Sequence, residues 1–291
     1  MHGRAPYVPS PEQPKLELPG GARLAIHLIV NVEAWRYDVK LPRQILTAPQ
    51  GAEPIPDVPN FAWFEYGMRV GIWRVFEVLE PARGHVTLAI NGLVCAQYPQ
   101  VVARAVQDGW EMMGHGFEQR AMSTVDDERE TIHATLDVLE QASGKRPRGW
   151  LGPGLVETTK TADILVKEGL EYCCDWGPAD DVPYEISVKR GRLIAVPYPL
   201  EMNDIVMYGL QNRPDDILLE RGRRQFDRLY RESGRGAKVM AIAFHPWIIG
   251  VPHRIGFLEE LLRYMQMRPG VAFMSGAEIS DWYVAHLSSR A

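Results

Sequence analysis

The stretch RLAIHLIVNVEAW, residues 23–35, opens with a near-continuous apolar run and then reaches a carboxylate. An unbroken run of this kind is the pattern of a strand covered on both faces, as in a parallel sheet flanked by helices. The run stops at Glu33, with Asn31 before it and Trp35 after it. Burying a carboxylate there without a partner is costly. Glu33 therefore reads as a functional group rather than a loop charge.

The same unit recurs along the chain. HVTLAINGLVC (85–95), EMMGHG (111–116), RGWLGPG (148–154), EYCCDWG (171–177), LIAVPYPLEMND (193–204), AKVMAIAFHPW (237–247) and the start of VAFMSGAEISDWY (271–283) read as strands or strand exits. Helical spacing fills the gaps at 67–80, 98–110, 123–145, 158–170, 214–234 and 254–267, and a helix closes 271–283. The segment 123–145 carries a Ser–Thr cap, an acidic first turn and a stop at Gly144. Such alternation predicts parallel βαβ units, which right-handed crossovers close into a barrel or wind into an open sheet. Residues 1–22 read as an extended proline-rich arm, 40–60 as a long loop, and 23–291 as one catalytic domain without a linker or repeat.

Functional groups of a parallel α/β barrel sit where its strands end. Here those exits carry Asn31, Glu33, Asn91, His115 with Glu118 and Gln119, Trp150, Asp175, Trp176, Glu201, Asn203, Asp204 and His245. Glu33, His115 and His245 are expected to meet around one mouth. Glycines flank His115 and let backbone approach closely, and His245 ends the strongest apolar strand. Trp35, Trp150, Trp176 and Trp247 suggest a flat aromatic wall for a planar ligand. His27, inside a strand, reads as a core residue. His85, His133 and His286 read as solvated, and His253 as a loop residue near the rim. Asp180 and Asp181 make a turn or touch the ligand.

Composition narrows the class. The 291 residues carry a net charge of −5 and no long basic run, which argues against a nucleic-acid partner. No apolar run approaches the roughly 20 residues of a membrane span, and the polar, proline-rich start lacks a signal-peptide core. Three cysteines, Cys95, Cys173 and Cys174, suit a reducing compartment. The expectation is a soluble cytoplasmic protein.

Several blocks together resemble the polysaccharide deacetylase, or NodB-homology, superfamily. RPRGWLGPG, DWGPADDVPY, PYPLEMNDI, AFHPWIIGVPHRI, GAEISDWY and VPNFAWFEYGMRVGIWRVFEVLE are similar to its branch of allantoinase-like and cyclic amide hydrolases. The resemblance covers nearly the whole chain after residue 20. It implies a distorted (β/α) barrel of seven or eight parallel strands, a small amide substrate, and a homo-oligomer such as a tetramer.

Metal-dependent members of the family carry two aspartates in a first motif and two histidines four residues apart in a second. Here NVEAW puts Asn31 and Glu33 in the first motif, and HGFEQ puts His115 and Gln119 in the second. The arginine of the third motif is replaced within WLGPG, and His245 matches the family's general acid. The resemblance thus assigns catalysis to Glu33, His245 and Asn31, and leaves Trp35, Gln119, Trp150, Asp175, Trp176, Glu201 and Asn203 for substrate binding. A divalent ion, zinc first, would rest on Glu33 and His115, with Glu118 or Gln119 as third ligand if 115–119 makes a helical turn. A carboxamide is a poor zinc donor, so both a metal site and a metal-free acid–base site stay open. The alternatives are a metal-dependent deacetylase of N-acetylated sugars and a ligand-binding relative without catalysis.

Overall fold

A computed structural model describes residues 3–289. Its strands are β1 Leu24–Val32, β2 Val86–Ile90, β3 Glu111–Gly114, β4 Gly149–Trp150, β5 Tyr172–Cys173, β6 Tyr184–Ile186, β7 Leu193–Ala195, β8 Lys238–Phe244 and β9 Val271–Phe273. They form one curled sheet in the order β6-β7-β5-β4-β3-β2-β1-β8, with β9 added beside the first residues of β1. Every pairing is parallel except β6 with β7. The barrel is distorted and incompletely closed. Across its gap the chain after β7 meets β8 through a bridge between Asn203 and Ala243, and the Val239 N–H donates to the Asp181 carbonyl.

Strand parity explains which side chains reach the lumen. Successive strand residues point to opposite faces. On β1, Leu24, Ile26, Leu28, Val30 and Val32 pack outward under the helices, while Ala25 and Ile29 face inward. Asn31 and Glu33 continue the inward row. On β8, Met240, Ile242 and Phe244 face out, and Val239, Ala241 and Ala243 face in, a row that His245 extends. The inward rows of β2, β3 and β7 end likewise in Asn91, His115 and Tyr198.

Several elements differ from the sequence reading. β4, β5 and β7 are only two or three residues long. The Asp180–Asp181 turn leads into the antiparallel strand β6, and the helix Val58–Tyr66 begins within the last residues of the loop expected at 40–60. The helix expected at 123–145 is Glu128–Ser143. Its cap is Asp127, which accepts the Glu130 N–H, and it ends at Gly144 in the left-handed region. The arm does more than lie on the surface: it buries Leu16 and Leu18 against the inward-facing residues. Among the described residues no helix is long and apolar enough to cross a membrane.

Two glycines let the helical segment before β2 seat the turn that carries His245. A Cβ on Gly67 would stand 2.7 Å from the Trp247 backbone nitrogen, and one on Gly71 only 2.1 Å from the Pro246 carbonyl oxygen. Gly71→Ala should therefore destabilise the protein by about 1–3 kcal/mol through overpacking. It should lower turnover as well, because the displaced turn carries the histidine. A melting curve with steady-state rates checks both; unchanged values in both would mean the contact is not close.

Candidate active site

The inward rows converge on a cavity of about 240 Å³. Glu33 is its hub. Its Oε1 lies 3.5 Å from His245 Nε2 and 3.7 Å from His115 Nε2, and it accepts a 2.6 Å hydrogen bond from Gln119 Nε2. All three imidazole and carboxylate groups are buried. Asn31, Trp35, Arg43, Leu155, Tyr198, Asn203 and Trp247 complete much of the lining.

The orientation of Gln119 follows from a chain of bonds. The Ala34 N–H donates to Asn91 Oδ1 at 2.9 Å, which turns the Asn91 amino group toward Gln119 Oε1 at 3.1 Å and toward the His115 carbonyl. The Gln119 oxygen is thereby engaged away from the cavity, and its amino group faces Glu33. A flipped carboxamide would set two amino groups against each other. Gln119 presents hydrogens, not a lone pair, where a third metal ligand would stand.

His245 is held by Asp204. Its Nδ1–H donates to Asp204 Oδ1 at 2.6 Å, and its backbone N–H donates to Oδ2 at 2.7 Å. Burial alone would strip the imidazolium of its proton, but Asp204 and Glu33 outweigh burial and raise its pKa to about 10. Burial likewise pushes the Glu33 carboxyl up. His245 and His115 outweigh that and hold it down at about 2. At neutral pH the resting site therefore holds a carboxylate beside an imidazolium. The His115 Nδ1–H donates to the Leu151 carbonyl at 2.5 Å, which leaves Nε2 facing Glu33. His115 Nε2 and Glu33 Oε1, 3.7 Å apart, are placed to hold one water between them.

Other expected residues fall elsewhere. Residues 115–119 do not form a helical turn, because Gly116 takes a left-handed φ of 77°. Glu118 instead lines a neighbouring trough with Tyr37, Phe61, Tyr98 and Phe117. Trp150 is fully buried on the outer face of β4, among Leu136 and Leu165; its neighbour Leu151 is the one that lines the cavity. Trp176 and the exposed Glu201 line a separate cavity under the arm, together with Asp180 and Asp181. The four-tryptophan wall is thus a pair, Trp35 and Trp247. Trp35 stacks on Phe64 at 4.6 Å.

Asp175 stands behind the cavity wall, where it accepts the Gly152 N–H at 2.7 Å. Burial and the nearby Glu157 push its carboxyl well above the usual range. His27 is the core residue expected, bonded to Thr87 at 2.9 Å and kept neutral by burial. His253 pairs with Asp215 and is not part of the lining.

Sequence reasoning placed Asp204 at a strand exit without a specific role and passed over Tyr198 and Arg43. The first two lie in PYPLEMND, whose inward parity would have marked Tyr198. Arg43 comes from a loop without a period to read. It has no carboxylate partner among the described residues.

The donor set does not fit a three-ligand zinc site. Glu33 and His115 are in place, but the third position presents amide hydrogens and His245 Nε2 holds a proton. Among the described residues no three His, Cys, Asp or Glu side chains stand together as a metal site.

Residues 61–173 match the family model for polysaccharide deacetylase. A Schizosaccharomyces pombe protein assigned as a polysaccharide deacetylase is 28% identical, with 92% of each chain covered. A Helicobacter pylori peptidoglycan deacetylase is 21% identical over 79% of this chain and 89% of its own. Among solved structures, PuuE allantoinase superposes with a TM-score of 0.81 at 24% identity over 94% of both chains. That last likeness is one of fold.

Proposed function

We propose, from the polysaccharide deacetylase domain that this chain carries, that the protein hydrolyses carbon–nitrogen bonds other than peptide bonds. The substrate we assign is a small cyclic amide of the ureide or imide type. The observation that carries the reading is Glu33, one carboxylate oxygen set between the Nε2 atoms of His115 and His245 at 3.7 and 3.5 Å.

The chemistry follows from that arrangement. Water bound between Glu33 and His115 gives a proton to Glu33 as its oxygen bonds to the amide carbon. The carbonyl π pair moves onto the carbonyl oxygen. The tetrahedral adduct then expels nitrogen: the C–N bond breaks and the nitrogen takes the Nε2 proton of His245. The two proton transfers reinforce each other. Once His245 has given up its proton, the cation that holds Glu33 acidic is gone, and Glu33 retains the proton it has taken. Each such acid–base step contributes roughly 10²–10⁴-fold. Asp204 keeps the donor protonated until that moment. Opening a ring amide leaves a carboxylate, and Arg43 at the cavity wall is placed to meet it.

Size supports a small ring over a polymer. Ligand sites for drug-sized molecules run to roughly 300–1,000 Å³, and this cavity is about 240 Å³. A strained ring amide also demands less electrophilic help than an acetamide.

The test is a panel of hydantoin, succinimide, allantoin and chitin oligosaccharides, each with and without a chelator. We expect ring opening that survives chelation. Turnover of the acetylated sugars alone, abolished by chelation and restored by zinc, would establish the metal-dependent deacetylase instead. A panel inert at high protein concentration would leave a ligand-binding relative.

A further inference from the structure

We infer that Tyr198 is a further catalytic residue: its hydroxyl donates to the carbonyl oxygen as negative charge develops there. This rests on the hydrolase reading above.

The lumen-facing parity of β7 carries on through Val196 to Tyr198, which is 2% exposed and lines the cavity beside Glu33 and His245. Two amides fix its oxygen. Asn203 Nδ2 donates to it at 3.1 Å and Asn31 Nδ2 at 3.3 Å. The orientation of Asn203 is set, because its Oδ1 accepts the Ile205 N–H at 3.0 Å. A phenolic oxygen that accepts from two amides keeps its own proton to give. The protein acceptor within range for that proton is Asn31 Oδ1 at 3.5 Å, the outer limit of a hydrogen bond. A substrate oxyanion offers a stronger acceptor.

The two incoming amide bonds sharpen this role. Accepting N–H bonds polarises the hydroxyl and strengthens its donation. Burial meanwhile pushes its ionisation far above the working range, so the proton stays on oxygen. The donor is held in place before the reaction, as electrostatic stabilisation of an oxyanion requires. Asn31 thereby acquires a role that its position in the first motif does not suggest. It cannot act as a base, and it serves as a positioning residue for Tyr198.

The test compares wild type with Tyr198→Phe, Asn31→Ala and Glu33→Gln. Losing one oxyanion donor costs on the order of 10²–10³ in kcat, so Tyr198→Phe should lose that much with KM changed less than a few-fold. A cyclic phosphonamidate of hydantoin ring size mimics the tetrahedral oxyanion. It should bind Tyr198→Phe weaker by a similar factor in calorimetry, while hydantoin binding is nearly unchanged. Asn31→Ala should fall in the same direction by less. Wild-type kcat in Tyr198→Phe, or equal phosphonamidate affinity in the two proteins, would overturn the assignment and leave the hydrolase reading intact. An inert wild type that still binds phosphonamidate through Tyr198 would sink the hydrolase reading alone. Melting temperatures guard against misfolding, and one lost oxygen leaves the ring packing in place.

Discussion

Glu33→Gln should lower kcat by at least about 10², toward 10⁴ if it removes the base and weakens the acid together. The substitution is isosteric, so the cavity keeps its shape and the change is one of charge. The carboxamide introduced there cannot take a proton from water, and it no longer helps to hold the proton on His245. The fold should survive, because the inward row of β1 below it is unaltered. The pH dependence of stability has a definite sign. The folded pKa of Glu33 lies at about 2, below the usual carboxylate value, so its contribution is complete above roughly pH 4.5 and is lost as pH falls through 2. The stability difference between wild type and variant should therefore shrink on acidification through that window. Steady-state rates with acid titrations followed by circular dichroism measure both. Wild-type turnover in the variant would remove Glu33 from the reaction.

The sequence announced the sheet because a strand buried on both faces cannot hide its composition, and β1 and β8 are long enough to show it. β4 and β5 are two residues each. A run that short has no period, so the phase of its side chains is not readable. This is why Trp150 was placed on the mouth while Leu151 lines it. The error is one residue, which in a strand inverts the face. Glu201 failed for another reason: it lies in the 3-10 turn Leu200–Met202, where strand parity does not apply, and is exposed two residues before the inward Asn203. Glu33 and His245 were legible because each follows a run long enough to fix its phase, and His115 because glycines flank it at the exit of a four-residue strand. The direction of the Gln119 amide was not legible at all. It is set by Ala34 and Asn91, residues distant in sequence whose hydrogen bonds exist only once β1 and β2 have paired. Asp204 is a related case: its place at a strand exit was legible, but its partner shows only once β8 brings His245 against it.

His245→Ala should cost about 10²–10⁴ in kcat, and the loss should depend on the leaving group. An imide nitrogen departs readily as an anion and needs little protonation, whereas a plain lactam nitrogen leaves only with a proton. The variant should therefore lose more with a lactam than with succinimide. Asp204→Asn tests how the proton is held. Without that carboxylate, burial dominates and pushes the imidazolium pKa down, so the alkaline limb of kcat/KM should move from near 10 toward neutrality. Stability gives the same sign independently. The folded His245 pKa is raised above the unfolded 6.5 to about 10, so the stabilisation is complete below about pH 6.5 and is lost as pH rises through 10. Wild type should lose stability across that alkaline window, and Asp204→Asn should lose less because it has less to lose. An alkaline limb that stays where it was in Asp204→Asn, with kcat unchanged, would mean that His245 does not deliver the proton.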